Sequence, residues 1–222
     1  MKRLSIMLLA LTTLLLSGCN EKNRKETAPE STPVATTLSR EEIKALSFDQ
    51  LFKEITPKEI PGDVFTLVSE DFSVITGGTP ELYNTMVASW GGWGTLFNKP
   101  AAWCFLRSSR YTLELIRKDL TYTVSFFDDE YKGDILAFGA KSGRDSEKMK
   151  ETKLTAVQTP AGSMSYKEAK IIIACKLVEV TTVSPDDFLT EEGRTFVTDA
   201  YAETKAYHKI VFGEITNVWV KK

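Results

Sequence analysis

Beyond residue 60 the chain alternates short apolar runs with polar breaks. Val64 to Val68 and Phe72 to Thr76 read as strands, with Ser69-Glu70-Asp71 as the turn between them. Gly77-Gly78-Thr79-Pro80 reads as another turn. Tyr83 to Ser89 predicts a third strand and Ala101 to Leu106 a fourth. Tyr122 to Phe127, rich in β-branched and aromatic residues, predicts a fifth. Ile171 to Val180 makes a sixth, and Tyr207 to Val220 is long enough for one or two more. Helical spacing falls between them, over Arg110 to Lys118, Glu130 to Ala140 and Asp145 to Glu151. Thr181 to Tyr207 reads as irregular, with a short helix near Asp186. Ahead of the strands, Ser39-Arg40-Glu41-Glu42 has the form of a capped helix start, with Ser39 as N-cap and Glu42 at the third helical position. Ile43, Leu46, Leu51 and Phe52 would then dock a short helical lead-in, which Pro57 and Pro61-Gly62 end. Strands at short spacing, with helices inserted rather than strictly alternating, argue against a doubly wound sheet. They predict a mainly β fold with inserted helices: a single domain built on a small barrel, where closure removes exposed edges.

The first residues have a different pattern. Lys2 and Arg3 precede an apolar run from Ile6 to Leu16, too short to span a bilayer as a mature helix. The run ends in Leu16-Ser17-Gly18-Cys19, which has the form of a bacterial lipobox. This predicts a lipoprotein signal peptide over 1–18 and lipidation at Cys19. Each buried lipid CH₂ adds about 0.8 kcal/mol, so two or more acyl chains would anchor the protein firmly. From Asn20 to about Thr37 the chain is polar and cannot bury enough surface to fold. Residues 19–45 are therefore read as a tether and lead-in, and 46–222 as the folded domain. The expected location is the bacterial cell envelope, on the periplasmic or surface side. No Asp follows Cys19 to suggest inner-membrane retention, which favours the outer membrane.

Composition excludes more than it selects. A net charge of −2 gives no electrostatic reason to expect a nucleic-acid partner. One histidine and three cysteines without paired spacing speak against a zinc site, and no other metal site is expected. Cys104 and Cys175 lie within apolar strands, where packing and a disulfide both remain open. There is no GxSxG elbow, no Ser-x-x-Lys pair and no P-loop. Gly92-Trp93-Gly94 lacks the third glycine of a dinucleotide fingerprint.

The chemistry concentrates between Tyr83 and Thr112. A half-polar strand leads into a glycine-rich loop with two tryptophans, an apolar strand follows, and a turn with two arginines and two serines opens a helix. A helix start carries unpaired N–H groups and partial positive charge. Ser109, Thr112, Arg107 and Arg110 would add hydroxyls and cations for an anion. The plain alternative is a serine N-cap with solvated arginines.

The Asn84, Thr85, Met86, Ser89, Trp90, Gly91, Gly92 run resembles the signature of flavin reductase-like, FMN-binding split-barrel proteins, in particular the flavoredoxin-like branch. So do Asn98-Lys99-Pro100, Arg107 with Arg110-Tyr111-Thr112, Ser125-Phe126-Phe127 and Ser142-Gly143-Arg144-Asp145. The similarity runs from about Phe52 to the C-terminus. The resemblance implies a split β-barrel, an FMN cofactor and a homodimer with flavin at the seam. The turn at Arg107, Ser109, Arg110, Tyr111 and Thr112 would take the flavin phosphate. Asn84, Thr85, Met86, Ala88, Ser89 and Trp90 would line the ring, with Asn98 and Lys99 bordering it. Lys141, Ser142 and Arg144 would lie near the flavin or the dimer seam. His208, the sole histidine, would lie near the reactive face and orient a donor or shuttle a proton. The function implied is an oxidoreductase of the NAD(P)H:flavin reductase kind. A lipid-anchored chain outside the cytoplasm meets little NAD(P)H, so a membrane redox partner is the alternative electron source. Two other readings stay open: a non-enzymatic tethered flavin-binding electron carrier, and a barrel that has exchanged flavin for another ligand such as haem.

Overall fold

The computed structural model describes residues 38–144 and 148–222. The expected signal peptide, the lipidation site Cys19 and most of the tether lie outside the described residues, as does the start of the helix expected from Asp145. Among the described residues there are ten strands: β1 (Phe52–Ile55), β2 (Ser73–Thr79), β3 (Leu82–Ala88), β4 (Gly91–Leu96), β5 (Lys99–Arg107), β6 (Thr121–Phe126), β7 (Ala156–Gln158), β8 (Met164–Tyr166), β9 (Ile171–Thr182) and β10 (His208–Lys221). The helices are α1 (Arg40–Ala45), α2 (Phe48–Leu51), α3 (Tyr111–Asp119), α4 (Lys132–Ala140), α5 (Lys148–Glu151) and α6 (Glu191–Ala200). The main sheet runs β3-β2-β6-β9-β10-β5-β4 with antiparallel neighbours, and β7 pairs with β8 separately.

The spine is β10. One edge pairs with β9 from Lys209 to Val220. The other edge is shared: β5 takes His208 to Glu214 and β1 takes Val218 to Lys221. Register shifts at Phe212/Gly213 and Ile215/Asn217 bend the strand, as bulges do. A Cβ on Gly213 would stand 2.6 Å from the Tyr122 hydroxyl oxygen and 2.8 Å from Cys175 Cβ, so this bend needs glycine.

The sheet has apolar material on both faces, which explains the continuous run Ile171 to Cys175. Ile171, Ile173 and Cys175 join Ile75, Leu106, Phe126 and Val211 in the inner core. Ile172 and Ala174 face a second core, with Val74, Phe127, Phe138, Tyr166 and Trp219. That outer layer is held by buried hydroxyls. Thr123 Oγ1 donates to the Met164 carbonyl at 2.7 Å, Ser125 and Ser165 hydroxyls lie 2.9 Å apart, and Tyr166 and Thr85 hydroxyls lie 2.7 Å apart. Cys104 and Cys175 are free thiols in the inner core, and burial pushes both upward from the ordinary thiol range.

Several expectations need correction. β3 and β4 do not pair, so the closure expected from strand spacing is not formed by hydrogen bonds, while the split β-barrel implied by the resemblance is what the sheet makes. Val64 to Val68 is not a strand. A π-helical turn spans Thr66–Glu70, and Val64, Leu67 and Val68 have the i, i+3, i+4 spacing of a helix. Gly77-Gly78 lies inside β2 rather than in a turn. A Cβ on Gly77 would meet Ile116 Cγ1 at 2.5 Å, so the glycine lets α3 press against the strand. The glycine-rich loop is the strand β4, which joins β5 through Phe97 and Asn98, both at positive φ. The C-terminal stretch, expected to hold one or two strands, is the single strand β10. The sequence reading also missed β1, the β7–β8 hairpin and the helix α6. The expected capping box at Ser39 is present, with the Ser39 backbone N–H donating to Glu42 at 2.7 Å.

Candidate functional site

The turn before α3 reverses the chain through an Arg110 N–H bond to the Arg107 carbonyl, 2.9 Å. Arg110 itself is the N-cap, in extended conformation, and its side chain makes no cap bond. The first-turn N–H groups of α3 therefore lack the acceptor a serine N-cap would supply. Beneath this helix start lies a cavity of about 190 Å³. Its walls come from β3 (Asn84, Met86), the turn (Ser109 to Thr112), the end of α4, and Lys148. Thr112 is fully buried and its hydroxyl accepts from Asn84 Nδ2 at 2.7 Å.

Lys148 is the unexpected member. It is 4% exposed, and its ammonium donates to the Phe138 carbonyl at 2.7 Å. An ammonium has three donors, and only one of them is used among the described residues. Burial, reinforced by the charge of Arg110, lowers its pKa to about 8. Among the described residues neither Arg110 nor Lys148 has a carboxylate within ion-pair distance. Two cations beside an uncapped helix start cost free energy unless an anion joins them.

The segment after α4 closes one side. A Cβ on Gly143 would overlap the Asn84 amide, so only glycine lets the chain lie this close. Arg144 donates to the Ser109 carbonyl at 2.9 Å, pairs with Glu114 and covers the Tyr111 ring at 5.2 Å. It fastens the strap to α3 rather than pointing a free charge inward. Lys141 and Ser142 line the cavity, but Lys141 is paired with Glu151 at 3.0 Å. A second hollow, of about 520 Å³, shares Asn84, Tyr111 and Gly143 with the cavity. It is more open and includes Glu81, so the cationic cavity is the better anion site.

The remaining expected residues fall in three places. Ala88 is nearly buried on the same inner face of β3 as the cavity-lining Met86, while Thr85 points the other way, to Thr76 and Tyr166. Beyond β3, Ser89 and Trp90 line a mostly apolar hollow of about 420 Å³, with Trp93 and Trp103. Asn98 and Lys99 sit at the β4–β5 hairpin, and Lys99 pairs with Glu214 at 2.8 Å. The structure does not bring these two to the cavity within one chain. Nor does Arg107 line it.

His208 is half-buried. Its Nδ1 meets the Tyr201 hydroxyl, and its ring centroid is 4.8 Å from that of Trp90. Burial first, then Arg107 and Arg110, lower its pKa from 6.5 to about 4. The ring is therefore neutral at pH 7. An unfolded imidazole takes a proton as pH falls from 6.5 toward 4, whereas the folded one resists, so stability is lost over that interval. His208→Gln is expected to remove this part of the loss. Thermal melts of both proteins should diverge below pH 6.5; parallel curves would contradict the assignment.

Lys148 and Tyr201 escaped the sequence reading. Lys148 sits in a charged stretch with nothing to mark it as buried. Tyr201 follows a helix that the reading left irregular.

The family model for the flavin reductase like domain matches residues 67–222, and the chain belongs to that family. Solved structures share the fold. An FMN-binding protein from Thermus thermophilus, with bound 1-cyclohex-2-enone, is 18% identical, covering 75% of this chain and 80% of that one at a TM-score of 0.54. The flavoredoxin of Desulfovibrio vulgaris is 18% identical over 75% and 76% of the two chains, TM-score 0.52. A split-barrel-domain protein from Shewanella frigidimarina is 19% identical over 82% and 78%, TM-score 0.53. Comparison with curated proteins gives no match.

Proposed function

We propose that this chain binds FMN and serves as a flavin-dependent oxidoreductase. The observation that carries the proposal is the pair Arg110 and Lys148 at an uncapped helix start, with no carboxylate partner among the described residues. Membership of the flavin reductase like domain family and FMN-binding neighbours support a flavin as the source of the anion. A cavity of about 190 Å³ is smaller than the roughly 300–1,000 Å³ of typical organic-ligand sites. It suits a phosphate-bearing tail, with the ring outside, along β3 toward Ser89 and Trp90. Bound flavin would supply the redox chemistry. The chain's part would be to hold the phosphate at Arg110, Lys148 and the α3 N–H groups. Asn84, fixed by Thr112, would border the tail. Trp90, 46% exposed, would offer apolar surface beside the ring. A second copy covering that ring, and a lipid anchor at Cys19 in the cell envelope, are parts of the same proposal.

The test is optical. Purified protein should be yellow or take up FMN with a Kd well below that for riboflavin, and a colourless protein indifferent to FMN would end the proposal. Anaerobic mixing with NADH then separates its two forms. Rapid bleaching supports an NAD(P)H-dependent enzyme, while bleaching by dithionite alone supports an electron carrier fed by a redox partner.

A further inference from the structure

The two arginines of the turn face different neighbours. Arg110 lines the phosphate cavity, whereas Arg107 stands opposite His208 in the β5–β10 ladder. The Arg107 guanidinium lies 5.9 Å from the centre of the Tyr201 ring and has no carboxylate within ion-pair distance among the described residues. Directly opposed positive groups destabilise a ladder. Here the imidazole avoids that by staying neutral. Because its Nδ1 is engaged by the Tyr201 hydroxyl, Nε2 is the nitrogen left for another partner. Beside it stands Trp90, tilted 45° to the imidazole and edge-on to Phe105 at 6.1 Å, with 46% of its surface open. Among the described residues, the titratable or charged groups facing His208 are Arg107 from β5, Arg110 from the turn and Tyr201 from the end of α6. A dianionic phosphate would be matched by Arg110 and Lys148, which leaves Arg107 without a counter-charge.

We infer that Arg107, the Nε2 of His208 and the exposed side of Trp90 form a second anion subsite, distinct from the phosphate cavity, for a small planar aromatic acid. The guanidinium fork matches a carboxylate in two bonds. The indole accepts a flat ring, and an Nε2–H donates a third bond. The inference rests on the flavin reading only in taking this acid as the molecule that meets the flavin.

The sole histidine makes the test direct, since the full chain has one imidazole to observe. Benzoate is the probe, titrated into ¹⁵N-labelled protein with and without FMN. The imidazole resonances are expected to shift saturably, and the pH at which they titrate should rise. Acetate and benzyl alcohol should each bind at least about tenfold more weakly, as each lacks one of the two recognised features. Arg107→Gln should weaken benzoate by about tenfold or more and leave FMN within about twofold, while Arg110→Gln does the reverse. Trp90→Ala, at an open position, gives a second loss of benzoate if Arg107→Gln fails to fold. Unmoved imidazole resonances, or an Arg107→Gln variant that loses FMN and keeps benzoate, would overturn the subsite with the flavin reading intact. Failure of FMN alone would remove the flavin reading, and the benzoate titration would still decide the subsite.

Discussion

Changing Arg110 to alanine and Lys148 to methionine together should raise the Kd for FMN by about 10²–10⁴-fold, while the Kd for riboflavin moves by less than about threefold. Each charge-assisted hydrogen bond is worth roughly 1.5–3 kcal/mol, and only FMN carries the phosphate that would receive them. Methionine keeps the apolar stem that Lys148 buries and removes the ammonium. The variant should melt no lower than the parent, because a buried cation with no carboxylate partner among the described residues costs stability until its ligand arrives. A fall in affinity for both flavins alike would mean that the cavity is deformed rather than discharged, and would remove the phosphate assignment.

Phe126→Ala should be the most damaging single change to the fold. The ring is fully buried in the inner core, 5.9 Å from the Trp93 ring and edge-on to it. Removing such a ring typically costs about 3–5 kcal/mol, from lost transfer free energy and the cavity left behind. For a folded body of this size that corresponds to a melting temperature about 6–20 °C lower. Leu189→Ala is the contrast: the side chain is 95% exposed, so its melt should coincide with the parent's. Equal melts for Phe126→Ala and the parent would contradict the two-faced sheet described above.

The sequence revealed strands more readily than their closure. β3, β5, β6 and β9 were legible because β-branched and aromatic residues crowd them. β4 was not, because Gly91, Gly92 and Gly94 carry no side-chain pattern. They form a strand only because Trp103 on β5 covers them, 3.2 Å from where a Gly92 Cβ would stand. The hairpin β7–β8 is only three residues on each side, and tertiary hydroxyl bonds hold it. At the site, the helix start and Arg110 could be read locally. Which arginine faces the cavity could not, since that depends on β10 placing His208 opposite Arg107. Lys148 could not be found either, because its burial arises from α4 and β3 closing over it rather than from its own neighbours in sequence.

The double use of the β10 edge governs the order in which this molecule can assemble. Three partners, β1, β5 and β9, wait for one late segment, and β1 waits across nearly the whole described length. Such distant pairings make for slow acquisition of structure. Until β10 is in place, no strand among the described residues joins the β4–β5 hairpin or β1 to the β3-β2-β6-β9 ladder. The two parts of the sheet are therefore joined into one body in a single step, when β10 docks between them.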